Sequence, residues 1–429
     1  MTNTALILIT DPQRSLEDHA GLPLLKRTVL AAQKGGIEEF LMVAPENSEG
    51  RLKDLLSGDK RITSRIRWYR HENGSLSDSL RDISPESVLI IRAESVFDPD
   101  IIKKMNGSGL NNTSACVAVR NGSGRPEPGR CTLKLVEGVI VDCDTPGASH
   151  HTAGLILTRP GSLKSTPAGA SDGHMDLCDI VKGLLGTGGV RALNVTDELC
   201  MEVVSQETMH ESKRKLFERL GLITDSPFSY YVSRKLSGFA SGALVRLPLT
   251  PNQITLMSFF TALLACWFYL QGGYWYSMTG ALVFYASFIL DLADGEVARL
   301  KYMSSKYGAL FDSICDSISY SVILFCIALA IHRNADIPNI LMVGAVAAGA
   351  LFICTSLDTY IHLTGKDLWD NKPSPLERLF ANEDCFLLSL FAFTLFDRLP
   401  WYLWIVAIGS IIYTLVLIGE MRVKKSSRA

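Results

Sequence analysis

The sequence has no surplus of one charge. Its 42 lysines and arginines stand against 44 aspartates and glutamates, leaving a net charge of -2. With no basic face to meet a phosphate backbone, a nucleic-acid partner is not expected. None of the ten cysteines, at 116, 131, 143, 178, 200, 266, 315, 326, 354 and 385, forms a CxxC pair or a small-scaffold spacing. Neither a zinc site nor a disulfide framework is signalled, and reduced, mostly buried thiols are expected. The eight histidines are scattered without a ligand-like cluster. The opening MTNTALILITDPQ has no positive n-region and an apolar run of only about six residues, so it reads as a first strand and a secretory signal is not expected.

What is abundant is apolar: hydrophobic residues make up 47% of the chain, and the mean hydropathy of +0.19 is high for a soluble protein. The average hides a division. Up to about residue 225 the text is mixed and polar, and from Leu244 it becomes apolar blocks broken by short links. Windows of about 20 residues give six candidate spans, near 253–271, 274–296, 308–332, 338–361, 384–397 and 400–420, the fifth being short. The links QGGYWYS and HRNADIP carry almost no positive charge. Those on the opposite side hold Arg299, Lys301 and Lys306, then Lys366, Lys372 and Arg378, and the tail RVKKSSR is basic. The positive-inside tendency therefore places the N-terminal part, these links and the C-terminus in the cytoplasm, around an integral protein of the cytoplasmic membrane. The stretch SPFSYYVSRKLSGFASGALVRL at 226–247 reads as an amphipathic helix on the membrane surface, with Arg234 and Lys235 at lipid headgroups. Domain limits follow at 1–220, 221–250 for the interfacial linker, and 251–429 for the all-α membrane part.

At the edge of the second and third spans stands DLADGEVARLKYMSSKYGALFDSICD, residues 291–316, with four aspartates beside the bilayer. A carboxylate there is costly and marks function. Asp291 and Asp294 are three apart and Asp312 and Asp316 four apart, so on helices each pair shares a face, its Cβ atoms about 5–6 Å apart. Two facing pairs make a box whose charges repel unless divalent cations neutralise them. Arg299 supplies a fixed positive charge for a phosphate. Gly295, Ala298 and Gly308 leave room for close approach. These ingredients suggest two-metal phosphoryl transfer.

Written out, D-x2-D-G-x2-A-R-x8-G-x3-D-x3-D resembles, without departure, the signature of the CDP-alcohol phosphotransferases, integral membrane enzymes with six helices. The resemblance implies that Asp291, Asp294 and Asp312 ligate two divalent cations, Mg2+ or Mn2+, that Asp316 completes the site and acts as base, and that Gly295, Ala298, Arg299 and Gly308 line the CDP pocket. An acceptor hydroxyl would attack the β-phosphorus of a CDP-alcohol and CMP would leave. A homodimer in contact with membrane lipid is also implied. Upstream, PLTPNQIT at 248–255 resembles the family's entry to its first membrane helix. There Asn252 either offers its amide to the ligand or belongs to a plain helix start, with Thr250 as cap and Pro251 in the first turn.

In the first half, ALILI, LLKRTVLAAQKGG and EEFLMVA read as strand, helix and strand. SVLIIRAE, ACVAVRN, CTLKLVEGVIVD and HTAGLILTR read as further strands, which makes an α/β domain with a mostly parallel sheet. The order resembles the Rossmann-like nucleotidyltransferases that activate sugar or inositol phosphates. Fusions of that kind include bifunctional enzymes coupling an inositol-phosphate cytidylyltransferase to a di-inositol phosphodiester synthase. The loop TDPQRSLEDHAG departs from that pattern: it has no glycine before Gly21, and only Arg14, Glu94 and Lys26 are candidates for its charged positions. The domain either makes the CDP-alcohol from CTP and an alcohol phosphate or serves as a regulatory or docking fold. A transporter with a cytosolic sensor fits less well, because the acids gather at one membrane face and not at the midplane.

Overall fold

The computed structural model describes residues 2–45, 48–69, 86–110, 113–122, 130–145, 148–165, 176–220, 232–335, 337–363 and 383–426. Two compact units emerge, Met1–Arg219 and Leu220–Ala429.

The first unit is α/β. Its strands are β1 (Thr4–Leu8), β2 (Glu39–Val43), β3 (Arg65–Tyr69), β4 (Val88–Arg92), β5 (Ser95–Phe97), β6 (Ala115–Asn121), β7 (Thr132–Val136), β8 (Val139–Cys143), β9 (His150–Thr158), β10 (Val190–Asn194) and β11 (Cys200–Glu202). Nine of them form one sheet in the order β3-β2-β1-β4-β9-β6-β10-β8-β7, and β5 pairs with β11 separately. Strands β9 and β8 run against the other seven, so the sheet is mixed, although most strands point one way as expected. β1 reads TALIL without alternation because it lies between two parallel neighbours and all five residues are buried.

Around the sheet lie α1 (Pro12–Leu16), α2 (Leu24–Lys34), α3 (Glu49–Leu56), α4 (Pro99–Ser108), α5 (Leu177–Leu185) and α6 (Gln206–Leu220). The glycines expected to end α2 do so. Gly36 has φ +104°, and a Cβ on Gly35 would lie 2.7 Å from Ile102 Cδ1.

Two expectations are corrected here. CTLKLVEGVIVD is a hairpin instead of one strand, turned by Glu137 and Gly138 with φ of 51° and 80°. Both central residues are left-handed, as a tight hairpin demands, but Glu-Gly lacks the Asn-Gly signal that would have shown it. The cysteines are not all reduced either: Cys131 is bonded to Cys178, 47 residues away, with Cα atoms 5.2 Å apart. The other eight are free, and all but Cys385 are buried.

The second unit is helical: α7 (Arg234–Leu244), α8 (Pro251–Gln271), α9 (Tyr274–Leu300), α10 (Lys306–Asn334), α11 (Ile340–Leu363), α12 (Glu383–Leu395) and α13 (Leu399–Ser426). Among the described residues five helices, α8 to α11 and α13, are long and apolar enough to cross a membrane. The short fifth expected span is α12, whose 13 residues do not reach across alone. Lys366, Lys372 and Arg378 lie outside the described residues. The bundle core gathers Tyr269, Phe284, Ile323, Leu324, Leu390 and Tyr402. At its charged end Lys301 Nζ donates to the carbonyl oxygens of Leu247 at 2.8 Å and Leu249 at 3.1 Å, tying the end of α9 to the approach to α8.

Candidate active site

The four aspartates sit where two helices leave the bilayer. Asp291 and Asp294 come from the last turns of α9, Asp312 and Asp316 from the second and third turns of α10. Asp291, Asp294 and Asp312 each present an oxygen within 4.8 Å of the others. Asp312 Oδ1 is buried and has no hydrogen-bond partner among the described residues. Buried acids do not crowd in this way without something positive between them, and hard oxygen donors at this spacing fit a divalent cation. Asp316 stands outside that trio. With Asp291 it lines a small pocket walled by Ser258, Ser287, Phe288 and Ser319.

The expected pocket residues lie on α8, α9 and α10. Gly295 lies one turn before Arg299, whose Nη1 would be 3.5 Å from a Cβ added at Gly295. Gly308 donates its N–H to Ser305 Oγ at 2.9 Å, capping α10, and a Cβ at Gly308 would lie 3.5 Å from Asn252 Oδ1. The start of α8 therefore meets the start of α10, Asn252 beside Gly308. Ala298 is half-buried on the same stretch of α9. Thr250, as expected, starts α8: its N–H donates to Gln253 Oε1 at 2.9 Å, and Pro251 opens the first turn.

Sequence reasoning missed two residues. Thr255 Oγ1 donates to Asp294 Oδ2, fixing the carboxylate that is only 5% exposed. It lies three residues after Asn252, a spacing that puts both on one face of α8. Glu296, 2% exposed, occupies an unspecified position of the motif. Its charge inside an apolar helix was the available signal. Arg234, expected at lipid headgroups, donates instead to Glu296 Oε1 at 3.1 Å.

In the first unit the loop after β1 is closed upon itself. Asp11 Oδ1 accepts the N–H of Arg14 at 3.0 Å. Glu94, 1% exposed, accepts from Asp11 N at 3.1 Å, Thr10 Oγ1 at 2.9 Å and Ser15 Oγ at 2.7 Å. Arg14 Nη1 donates to the Val204 carbonyl, and Lys26 pairs with Asp59 at 3.0 Å. Arg92 bridges Glu94 at 3.3 Å and Glu202 at 2.9 Å. Burial pushes the Glu202 carboxyl above the usual range, although Arg92 pulls it down.

A chain that joins an α/β domain to helices long and apolar enough to cross a membrane, two of them carrying a carboxylate cluster, has the architecture of an integral membrane enzyme. Residues 248–418 match the CDP-alcohol phosphatidyltransferase family, and this stretch is a domain of that family. The chain is 26% identical over 321 residues to the bifunctional IPC transferase and DIPP synthase of Rubrobacter xylanophilus, covering 72% of this chain and 71% of that protein. It is 23% identical over 370 residues to the protein of the same name from Aquifex aeolicus, covering 82% and 80%. The inositol-1-phosphate CTP transferase from T. maritima overlays on 50% of this chain and 96% of its own at 14% identity and a TM-score of 0.40, too loose an overlay to bear on function.

Proposed function

We propose that the chain moves a phospho-alcohol from a CDP-alcohol to a hydroxyl acceptor and releases CMP. The observation that carries this reading is the trio Asp291, Asp294 and Asp312, three carboxylates that each present an oxygen within 4.8 Å of the others. These acids, completed by Asp316, would hold two divalent cations, Mg2+ or Mn2+. Bound there, the cations would neutralise the pyrophosphate and stabilise charge on the departing CMP.

The remaining chemistry belongs to the side chains. Gly295, Ala298, Arg299, Gly308 and Asn252 receive the CDP group, with Arg299 pairing with a phosphate oxygen. Asp316 takes the proton from the acceptor hydroxyl as its oxygen attacks the β-phosphorus, the bond to CMP breaks, and a phosphodiester results. An archaetidylinositol phosphate synthase of Pyrococcus horikoshii, 35% identical over 103 residues, favours an inositol phosphate among the substrates, and the acidic end of the helices faces the cytoplasm, where such polar metabolites are found. The protein works as a homodimer in the cytoplasmic membrane.

The relatives, matched over most of their length, also favour a second reading, in which the first domain makes the CDP-alcohol from CTP and an alcohol phosphate. Purified protein given CTP and inositol 1-phosphate tests it: CDP-inositol appears if that reading holds. Given CDP-inositol and inositol 1-phosphate with Mg2+ or Mn2+, the protein should release CMP. Absence of CMP with every CDP-alcohol tried would refute the transferase assignment.

A further inference from the structure

Beneath the aspartates the bundle turns polar where apolar packing would be cheaper. Ser287 stands four residues before Asp291 on α9, Ser319 three after Asp316 on α10, and Ser258 three after Thr255 on α8. Each therefore lies one helical turn deeper on the face that carries the acid or its partner. All three are only 5% exposed, and with Asp291 and Asp316 they line one pocket. Alanine would allow the same close approach of three helices without a hydroxyl to bury.

The hydrogen bonds decide what such a pocket suits. Ser258 Oγ donates to the Thr255 carbonyl at 2.9 Å, Ser287 Oγ to that of Phe284 at 2.8 Å, and Ser319 Oγ to that of Cys315 at 2.8 Å. With each hydroxyl proton committed to its own helix, the serines have only lone pairs to offer, and ionised carboxylates only accept. A lining of acceptors suits a guest that donates. The room in the pocket, about 10 Å³ as swept by the centre of a water molecule, meets what a single water needs, about 10–15 Å³ with two to four polar partners. A sugar ring or a phosphate is far too large.

We propose that this pocket is a site for one water molecule, which donates to Asp291 and Asp316 and so holds the base in register with the metal ligands. Ser258, Ser287 and Ser319 are positioning residues that act through that water. When Asp316 takes the acceptor's proton, its new O–H turns to the water, whose own second O–H swings to a serine oxygen while the first stays on Asp291. The base is hydrogen-bonded before and after the transfer. The role rests on the phosphotransferase reading, whereas the water site does not.

A crystal structure of the full-length protein in a lipid phase, at about 2 Å or better, tests the site. It should show one peak about 2.6–3.0 Å from an oxygen of Asp291, of Asp316 and of at least one serine. No peak overturns the proposal, as does one ringed by oxygens at about 2.0–2.4 Å, the spacing of a metal ion. Turnover of CDP-inositol with inositol 1-phosphate tests the role. Ser319→Val fills the pocket, and the triple change Ser258→Ala, Ser287→Ala and Ser319→Ala widens it and strips its lone pairs. Both should lower kcat by about tenfold with either KM within about threefold. Opposite changes in packing with one kinetic outcome separate loss of the water from loss of fit. If Ser319→Val does not fold, the triple variant decides. A kcat within about twofold of wild type, or a loss carried by KM, overturns the proposal. If the peak is present but no CMP is released from any CDP-alcohol, the water site stands and the transferase reading fails.

Discussion

Thr255 and Asp294 meet across two helices, the hydroxyl of one donating to the carboxylate of the other. The bond orients the most buried of the three clustered acids. Such supporting partners typically cost 10–100-fold in metal affinity when removed. In Thr255→Val the Mn2+ concentration giving half-maximal CMP release should rise by about that factor. An unchanged metal dependence would show that Asp294 is held by something else.

Asp316 stands apart from the trio and lines the adjoining cavity with Asp291. As the acceptor's base it should be worth about 10²–10⁴ in rate. Asp316→Asn should lose that much kcat while its thermal unfolding matches wild type. Turnover near the wild-type rate would exclude the role.

The trio predicts dependence on divalent cations. EDTA should stop CMP release, and Mg2+ or Mn2+ should restore it. Asp312→Asn, which removes one of the three clustered carboxylates, should bind Mn2+ at least about tenfold more weakly. Activity that survives exhaustive chelation would exclude a metal site.

His19 is fully buried, with Nε2 2.8 Å from Ser212 Oγ. Burial first, then Arg27 and Lys213, lowers its pKa from 6.5 to about 2. Below pH 6.5 the unfolded chain takes up a proton that the folded one refuses, so stability is present above that pH and is lost as pH falls through it. The slope from this residue is at most about 1.4 kcal/mol per pH unit. Thermal unfolding should weaken between pH 6.5 and 5, and less steeply in His19→Gln. Identical slopes would assign the acid sensitivity to other groups.

The bond between Cys131 and Cys178 closes a separation of 47 residues. Loop-closure entropy makes that worth roughly 4 kcal/mol against unfolding. Cys131→Ser should lower the unfolding temperature of oxidised protein and remove the effect of reductant. If reductant leaves the wild-type transition unmoved, the thiols are not paired in solution.

The parts legible in the sequence were those governed by local spacing. Aspartates three and four apart on helices share a face wherever those helices lie, so the acidic cluster could be read from residues 291–316 alone. The strand, helix and strand of residues 4–43 likewise follow from runs of buried aliphatics and a glycine stop. Pairings between distant segments were not legible. Nothing near Glu296 points to Arg234, nothing near Cys131 to residue 178, and Glu94 gives no hint that it gathers residues 10, 11 and 15. Each becomes visible only when the chain returns to the same place after tens of residues.

The closed turn after β1 also bears on timing. The Asp11 amide and two hydroxyls are already engaged by Glu94. In the two-activity reading, a triphosphate arriving there would first have to break those bonds and face a carboxylate that repels it. Donor synthesis would then wait on an opening step that donor consumption does not share, and the slower half of the chain would meter the faster one.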